Sequence, residues 1–171
     1  FDIIKNAEKL TEEAIESIKE ISANLSPHIL KNHGLTSAIK QFADKMTESK
    51  IIQINFQSNM FNTRLDQDIE VVVYRSICEL INNSIKHAKA NNISINLNYN
   101  EQKKVLDILY DDDGVGFNLD EEFNNQLKGM GLQNIESRIA SINGFLELES
   151  NEGKGFHAYI NINANKINED A

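Results

Sequence analysis

Six of the eight glycines stand in three pairs with one residue between them: Gly114 and Gly116, Gly129 and Gly131, Gly153 and Gly155. Glycine admits positive φ and lets the backbone pass close to a ligand because no Cβ stands in the way. A single such pair is an ordinary turn. Three in one chain, each where one periodic segment gives way to the next, fix the boundaries of several elements and point to a shared ligand-binding surface.

The segments between those corners have readable periods. From Ile4 to Leu25 apolar residues recur at helical spacing (Ala7, Leu10, Ala14, Ile18, Ile21, Leu25), which predicts a long amphipathic helix. Pro27, the only proline, interrupts it, and Gly34 closes the turn before a shorter helix over "TSAIKQFADKM". "IIQINFQS", Ile51 to Ser58, alternates like a half-buried strand. A second long helix follows over about Asp66 to Ala88, then two strands, "NISINLNY" and "KVLDILYD". Leu119 to Lys128 is polar with little periodicity and reads as a mobile loop. "GLQNIESRIASING" predicts a third helix ended by Gly144, with "FLELES" and "FHAYINI" as closing strands. The order β, α, β, β, loop, α, β, β implies an α+β fold with helices on one face of a sheet.

At 171 residues the chain is long enough to bury roughly 70% of its unfolded surface. It divides into a helical extension (1–48), a mixed domain (49–165) and a polar tail (166–171). A net charge of −9 argues against nucleic acid as a direct partner, since that affinity rests on clustered Lys and Arg. The single cysteine, Cys78, falls in an apolar helical pattern and reads as a core residue, and the absence of a disulfide framework suits the cytoplasm. Nowhere do 18 apolar residues run together, so any membrane anchor lies outside this sequence. Beginning at Phe1 without Met, the chain reads as a piece of a longer protein.

Two stretches carry chemistry. In "YRSICELINNSIKHA", at roughly 100° per residue, Glu79, Asn83 and Lys86 lie within about 60° of one another with His87 at the edge, while Ile77, Leu80, Ile81, Ile85 and Ala88 take the other side. A solvated face is the ordinary reading of such a row. Asn82 and Asn83 weaken it, because adjacent Asn in a helix interior cost propensity that Glu or Lys would not. An amide oxygen on Mg²⁺ beside phosphates, with Lys as counter-charge, would offset that cost. The second stretch is "DDDGVGFN", Asp111 to Asn118, which on its own fits a hard-cation loop, a tight surface turn or one wall of a nucleotide pocket.

In this order, "ELINNSIKHA", "DDDGVGF", "KGMGLQNIESRI" and "GKGF" resemble the N, G1, G2 and G3 boxes of the ATP-binding domain of sensor histidine kinases. That is the two-layer α/β sandwich of the GHKL or Bergerat type, shared with type II topoisomerases, mismatch-repair ATPases and heat-shock chaperone ATPases. The resemblance runs from about Ile51 to Ile162. Upstream, "LTEEAIESIKEISANLSPHILKNHGLTSAIKQF" resembles the second helix of the dimerisation domain in the kinases that signal to helix-turn-helix response regulators, a segment the other ATPases lack. The acceptor histidine would then lie on a preceding helix that is not in this sequence.

The resemblance implies ATP and Mg²⁺ as cofactors, a response regulator as partner and a homodimer in the full-length protein. Asn83 would coordinate Mg²⁺, Lys86 and His87 would approach the phosphates, and Glu79 would be the general base that helps the acceptor histidine attack. Asp112 would accept a hydrogen bond from the adenine amino group, which an acceptor-only carboxylate selects over guanine. Gly114, Gly116, Leu132 and Gly155 would complete the pocket, with Gly129 and Gly131 hinging the 119–128 loop as a lid. "DDDGVGFN" is then a nucleotide wall, and Val115 and Phe117 break the alternation of an EF-hand. One departure stands out: Phe156 occupies the position after Gly155 where the family commonly has Thr, so aromatic packing would replace a hydroxyl contact near the base. His28, in "LSPHILKN", and His33 sit at the end of the dimerisation helix rather than at an acceptor position, and His157 is a strand residue without an assigned role. A non-catalytic, ATP-dependent interaction module is the competing reading, and Glu79, which binding alone does not need, separates the two.

Overall fold

The computed structural model describes residues 28–60, 63–119 and 130–165. The helix expected over Ile4 to Leu25, Pro27, Gly129, nearly all of the loop to Lys128 and the tail 166–171 lie outside the described residues.

Residues 28–48 are helical (α1) and bury Leu30, Leu35, Ala38, Ile39, Phe42, Ala43 and Met46, a stripe at helical spacing. The turn expected at Gly34 survives as one left-handed residue, φ +78°, inside that run. The carbonyls of Leu30 and Lys31, in the turn before it, accept hydrogen bonds from the Arg64 guanidinium at 3.1 and 3.2 Å. Strand β1 is Gln53–Ser58. Helix α2, Gln67–Asn83, starts behind Asp66, whose carboxylate accepts from the Asp68 N–H, and passes without a break into a π turn, Ser84–Ala88, closed by left-handed Lys89. Strands β2 (Asn92–Asn100) and β3 (Val105–Asp112), helix α3 (Met130–Ser141) and strands β4 (Phe145–Ser150) and β5 (Phe156–Asn163) follow. The third helix ends one residue earlier than the glycine rule suggests. Asn143 takes the left-handed position, φ 52°, and Gly144 is needed because a Cβ there would meet Ile139 Cγ2 at 2.7 Å.

The sheet runs β1-β2-β3-β5-β4, with β1 parallel to β2 and every other pair antiparallel. The period of two along each strand sends Ile93, Ile95, Leu97, Leu106, Ile108, Tyr110, Ala158, Ile160 and Ile162 into one hydrophobic cluster with the buried residues of α1, α2 and α3. The opposite face carries Asn96, Asn98, Asp107, Asp111, His157, Tyr159 and Glu149. This is the expected α+β sandwich: one layer of helices on a mixed sheet whose second face is mostly polar, with Leu109 and Phe145 exposed on it. Cys78 is buried in the core, which pushes its thiol up to about 12. Among the described residues no helix is long and apolar enough to cross a membrane.

Candidate functional site

A cavity of about 550 Å³ opens where the end of α2 and its π turn meet the end of β3, the start of α3 and the start of β5. Glu79, Asn83, Lys86 and His87 reach it from the helix, Asp112 and Gly116 from the acidic glycine loop, and Gly131 and Leu132 from α3. These eight residues, singled out on sequence alone, are brought together in one cleft. Leu80, Ser84, Ala88, Phe117 and Phe156 complete the wall. Gly131 lies against the helix face: a Cβ on it would stand 3.2 Å from Glu79 Oε1 and 3.5 Å from Asn83 Nδ2. The first turn of α3 therefore meets the acid and the amide directly, and its unpaired N–H groups carry the positive end of the helix dipole.

Gly114 and Gly155 stand behind the cleft. A Cβ at Gly114 would meet the Ala88 Cβ at 2.5 Å, and one at Gly155, φ +76°, would overlap the Asp112 carbonyl oxygen. One at Gly116 would overlap the Asn151 carbonyl oxygen in the same way. These glycines bring backbone against backbone, where the sequence suggested backbone against ligand. They lock the end of α2, the 111–117 loop and the β4–β5 turn into one unit. Ser150 ties it further, accepting from the Phe117 N–H at 3.0 Å and donating to the Gly155 carbonyl at 2.8 Å.

The three consecutive acids have three tasks. Asp111 points to the polar face of the sheet, where its carboxylate pairs with His157 Nδ1 at 2.6 Å and holds the imidazole above its usual range. Asp113 accepts from the N–H of Asn92 at 2.8 Å, from the Asn92 side-chain amide at 2.7 Å and from the Asn91 N–H at 2.7 Å, bonds that hold its carboxyl below the usual range and pin the α2–β2 turn. Only Asp112 faces the cleft, 6% exposed. Its Oδ1 accepts from the Gly114 N–H at 2.9 Å and its Oδ2 from the Ser84 hydroxyl at 2.5 Å, and Ser84 Oγ lies 2.7 Å from the Tyr110 hydroxyl. Phe156 stacks on Phe117, centroids 5.9 Å apart, and meets Tyr110 edge-on at 6.4 Å, which is the aromatic packing expected where a threonine hydroxyl is missing.

Among the described residues no group of three His, Cys, Asp or Glu side chains is placed to hold a metal. Mg²⁺ does not require one, since it keeps several waters and is held by one or two protein oxygens together with substrate phosphates. The Asn83 side chain, in the cleft beside Gly131, fits that pattern.

Residues 68–166, more than half of the chain, match the family described as histidine kinase-, DNA gyrase B-, and HSP90-like ATPase. The chain belongs to this ATPase family. Its relatives within the family include sensor histidine kinases. The sensor histidine kinase ComP of Bacillus subtilis (strain 168) is 33% identical over 150 residues, which cover 88% of this chain and 19% of ComP. The chain thus spans about a fifth of that relative's length. The histidine kinase domain of the blue-light activated histidine kinase of Erythrobacter litoralis superposes with a TM-score of 0.60 at 17% identity, covering 76% of this chain and 61% of that one. The histidine kinase AdeS of Acinetobacter baumannii does so with a TM-score of 0.57 at 15% identity, over 96% of this chain and 83% of that one. At such identities the likeness is one of fold, and the fold is the GHKL sandwich. Membership in this ATPase family makes ATP the ligand class of the domain.

Proposed function

We propose that this chain is the catalytic core of a two-component sensor histidine kinase, which holds Mg·ATP in the cleft and passes the γ-phosphoryl group to a histidine of the dimerisation and phosphotransfer domain, for relay to an aspartate of a response regulator. One observation carries the reading. Asp112, an acceptor with no proton to give, and the Glu79–Asn83 pair share a single cleft at the start of α3. The base lies against Asp112, whose free lone pairs accept from the adenine 6-amino group. The triphosphate runs toward Lys86, His87 and the α3 N-terminus. Asn83 would hold Mg²⁺ there, an ion that would supply positive charge to the phosphate oxygens.

Glu79 is the one charged side chain of the cleft to which nucleotide binding gives no task. As the acceptor imidazole nitrogen bonds to the γ-phosphorus, the bond from phosphorus to the β–γ bridging oxygen breaks, ADP leaves, and a carboxylate beside the imidazole takes or orients its N–H proton. The kinase acts in the cytoplasm as part of a full-length homodimer, with its regulator as protein partner.

The test separates binding from chemistry in the full-length kinase. Asn83→Ala should abolish the Mg²⁺-dependent tightening of ATP in titration calorimetry. Glu79→Ala should leave ATP affinity within about twofold and slow histidine phosphorylation by about 10²–10⁴-fold. Phosphorylation at the parental rate in Glu79→Ala would remove the catalytic role and favour a domain that uses ATP only to set its conformation.

A further inference from the structure

Behind Asp112 stand two hydroxyls, and proton counting fixes the direction of their bonds. Tyr110 is fully buried, and burial pushes its phenol well above the usual range, so it keeps its proton. The partner of its hydroxyl is Ser84 Oγ at 2.7 Å. Ser84 has one proton and two acceptors in reach, Asp112 Oδ2 at 2.5 Å and the Leu80 carbonyl at 3.2 Å. The charged and nearer acceptor takes it. With that proton committed, Ser84 Oγ can only accept from Tyr110, and the chain runs one way, Tyr110 to Ser84 to Asp112.

The consequence concerns which bases the site admits. Ser84 lines the cleft, and an unbound serine hydroxyl there could turn to donate toward a ligand's carbonyl oxygen. With its proton held by Asp112 and a lone pair filled by Tyr110, it cannot. We infer that Tyr110 and Ser84 are positioning residues that hold the Asp112 carboxylate in place and keep the base end of the cleft a pure acceptor, so that a purine with a 6-amino group is taken and one with a 6-oxo group is rejected. The inference rests on the proposed role of Asp112 toward adenine and adds the two residues that enforce it. Ser84 falls within the N box but off the face that carries Glu79 and Asn83, and Tyr110 stands just before the first glycine box. Phe156, packed edge-on against Tyr110 and stacked on Phe117, closes the other side of the phenol with apolar surface.

The decisive quantity is the ratio of ATP to ITP affinity in the presence of Mg²⁺, because ITP differs at the 6-position and not in its phosphates. Wild-type protein should favour ATP. Ser84→Ala, which takes a hydrogen bond from a carboxylate, should lower that ratio by roughly ten- to a hundredfold, and Tyr110→Phe, one bond further away, by roughly fivefold. Ser84→Thr keeps the hydroxyl and should keep most of the ratio. A merely structural role would weaken both nucleotides together and leave the ratio where it was. If Ser84→Ala does not fold, Tyr110→Phe carries the same reading, since it changes a single oxygen. Wild-type preference for ATP that persists undiminished in the folded variants overturns the inference, whereas wild-type protein that binds neither nucleotide, or both equally, overturns the adenine assignment itself.

Discussion

At the residue scale, the Asp111–His157 pair couples stability to pH. His157 is raised in the folded protein, chiefly by its hydrogen bond to Asp111 and further by the nearby charge of Glu149. A raised histidine contributes stability that is complete below its unfolded value, 6.5, and is lost as pH climbs through the higher folded value. Both side chains are about half exposed, 48% and 47%, so solvent screening keeps the contribution under about 1 kcal/mol. Urea unfolding of Asp111→Asn should therefore fall short of wild type at about pH 5.5 and converge on it at about pH 8.5. A deficit that grows with pH would assign the pair the wrong sign. Sequence could find Asp112 from the Asp-x-Gly-x-Gly spacing. It could not separate the tasks of its neighbours, because His157 lies 46 residues from Asp111, and Asn92 and Asn91 lie 21 and 22 residues from Asp113.

At the scale of elements, the helical stretch from Asp66 to Ala88 was legible at both ends, but not the π turn that forms its last five residues. An ideal helix places Ser84 about 140° from Glu79, on the core side. Leu80, Ser84 and Ala88 nonetheless line the cleft together with Glu79 and Asn83, because it extends past the edge of that face to Asp112 and Phe156, and the helix closes in a π turn over Ser84–Ala88 that no residue type in "SIKHA" announces. The start of α2 holds a second device that periodicity misses. Glu70, 1% exposed at its side chain, accepts from Arg64 Nε and Nη2 at 2.9 Å each and from the Leu65 N–H at 3.1 Å, while the same guanidinium caps α1 at Leu30 and Lys31. One arginine thus ties α1, beside its left-handed Gly34, to the helix that carries the cleft. Arg64→Ala should lower unfolding free energy by about 1.5–3 kcal/mol, the worth of hydrogen bonds to a charged group, and speed amide exchange in residues 28–34. Arg64→Lys should recover little, because an ammonium lacks the planar fork. The cost should shrink when Glu70→Gln is already present; strict additivity in that double-mutant cycle would mean the pair is not coupled.

For the whole molecule, the class of fold followed from the order of periodic segments, whereas the sheet order did not. Strand β5 enters between β3 and β4, so the last strand in sequence becomes an interior one, and that choice is made by long-range pairing such as Ile108 with Ile160 rather than by any local pattern. The insertion has a functional result. It sets the Gly155 backbone against the Asp112 carbonyl and Phe156 against Tyr110, so the cleft is closed by segments from residues 79 to 156 that meet only in the complete fold. A ligand held by all of them binds the native state and has no site in the unfolded chain. Its free energy must then appear as global stability: at a nucleotide concentration a hundredfold above Kd, native protein gains about 2.7 kcal/mol. For a chain of this size that raises Tm by roughly 5–11 °C. Mg·ATP should produce such a shift in a thermal melt, Mg·GTP a much smaller one, and ATP with a chelator a smaller one than Mg·ATP, since Asn83 would lose its ion. Amide protection should rise together in α2, β3 and the start of β5. A shift confined to α3 and the segment before it, with the β3 and β5 amides unchanged, would mean that nucleotide rests on the helix N-terminus without reaching Asp112, and the base would have to be placed elsewhere.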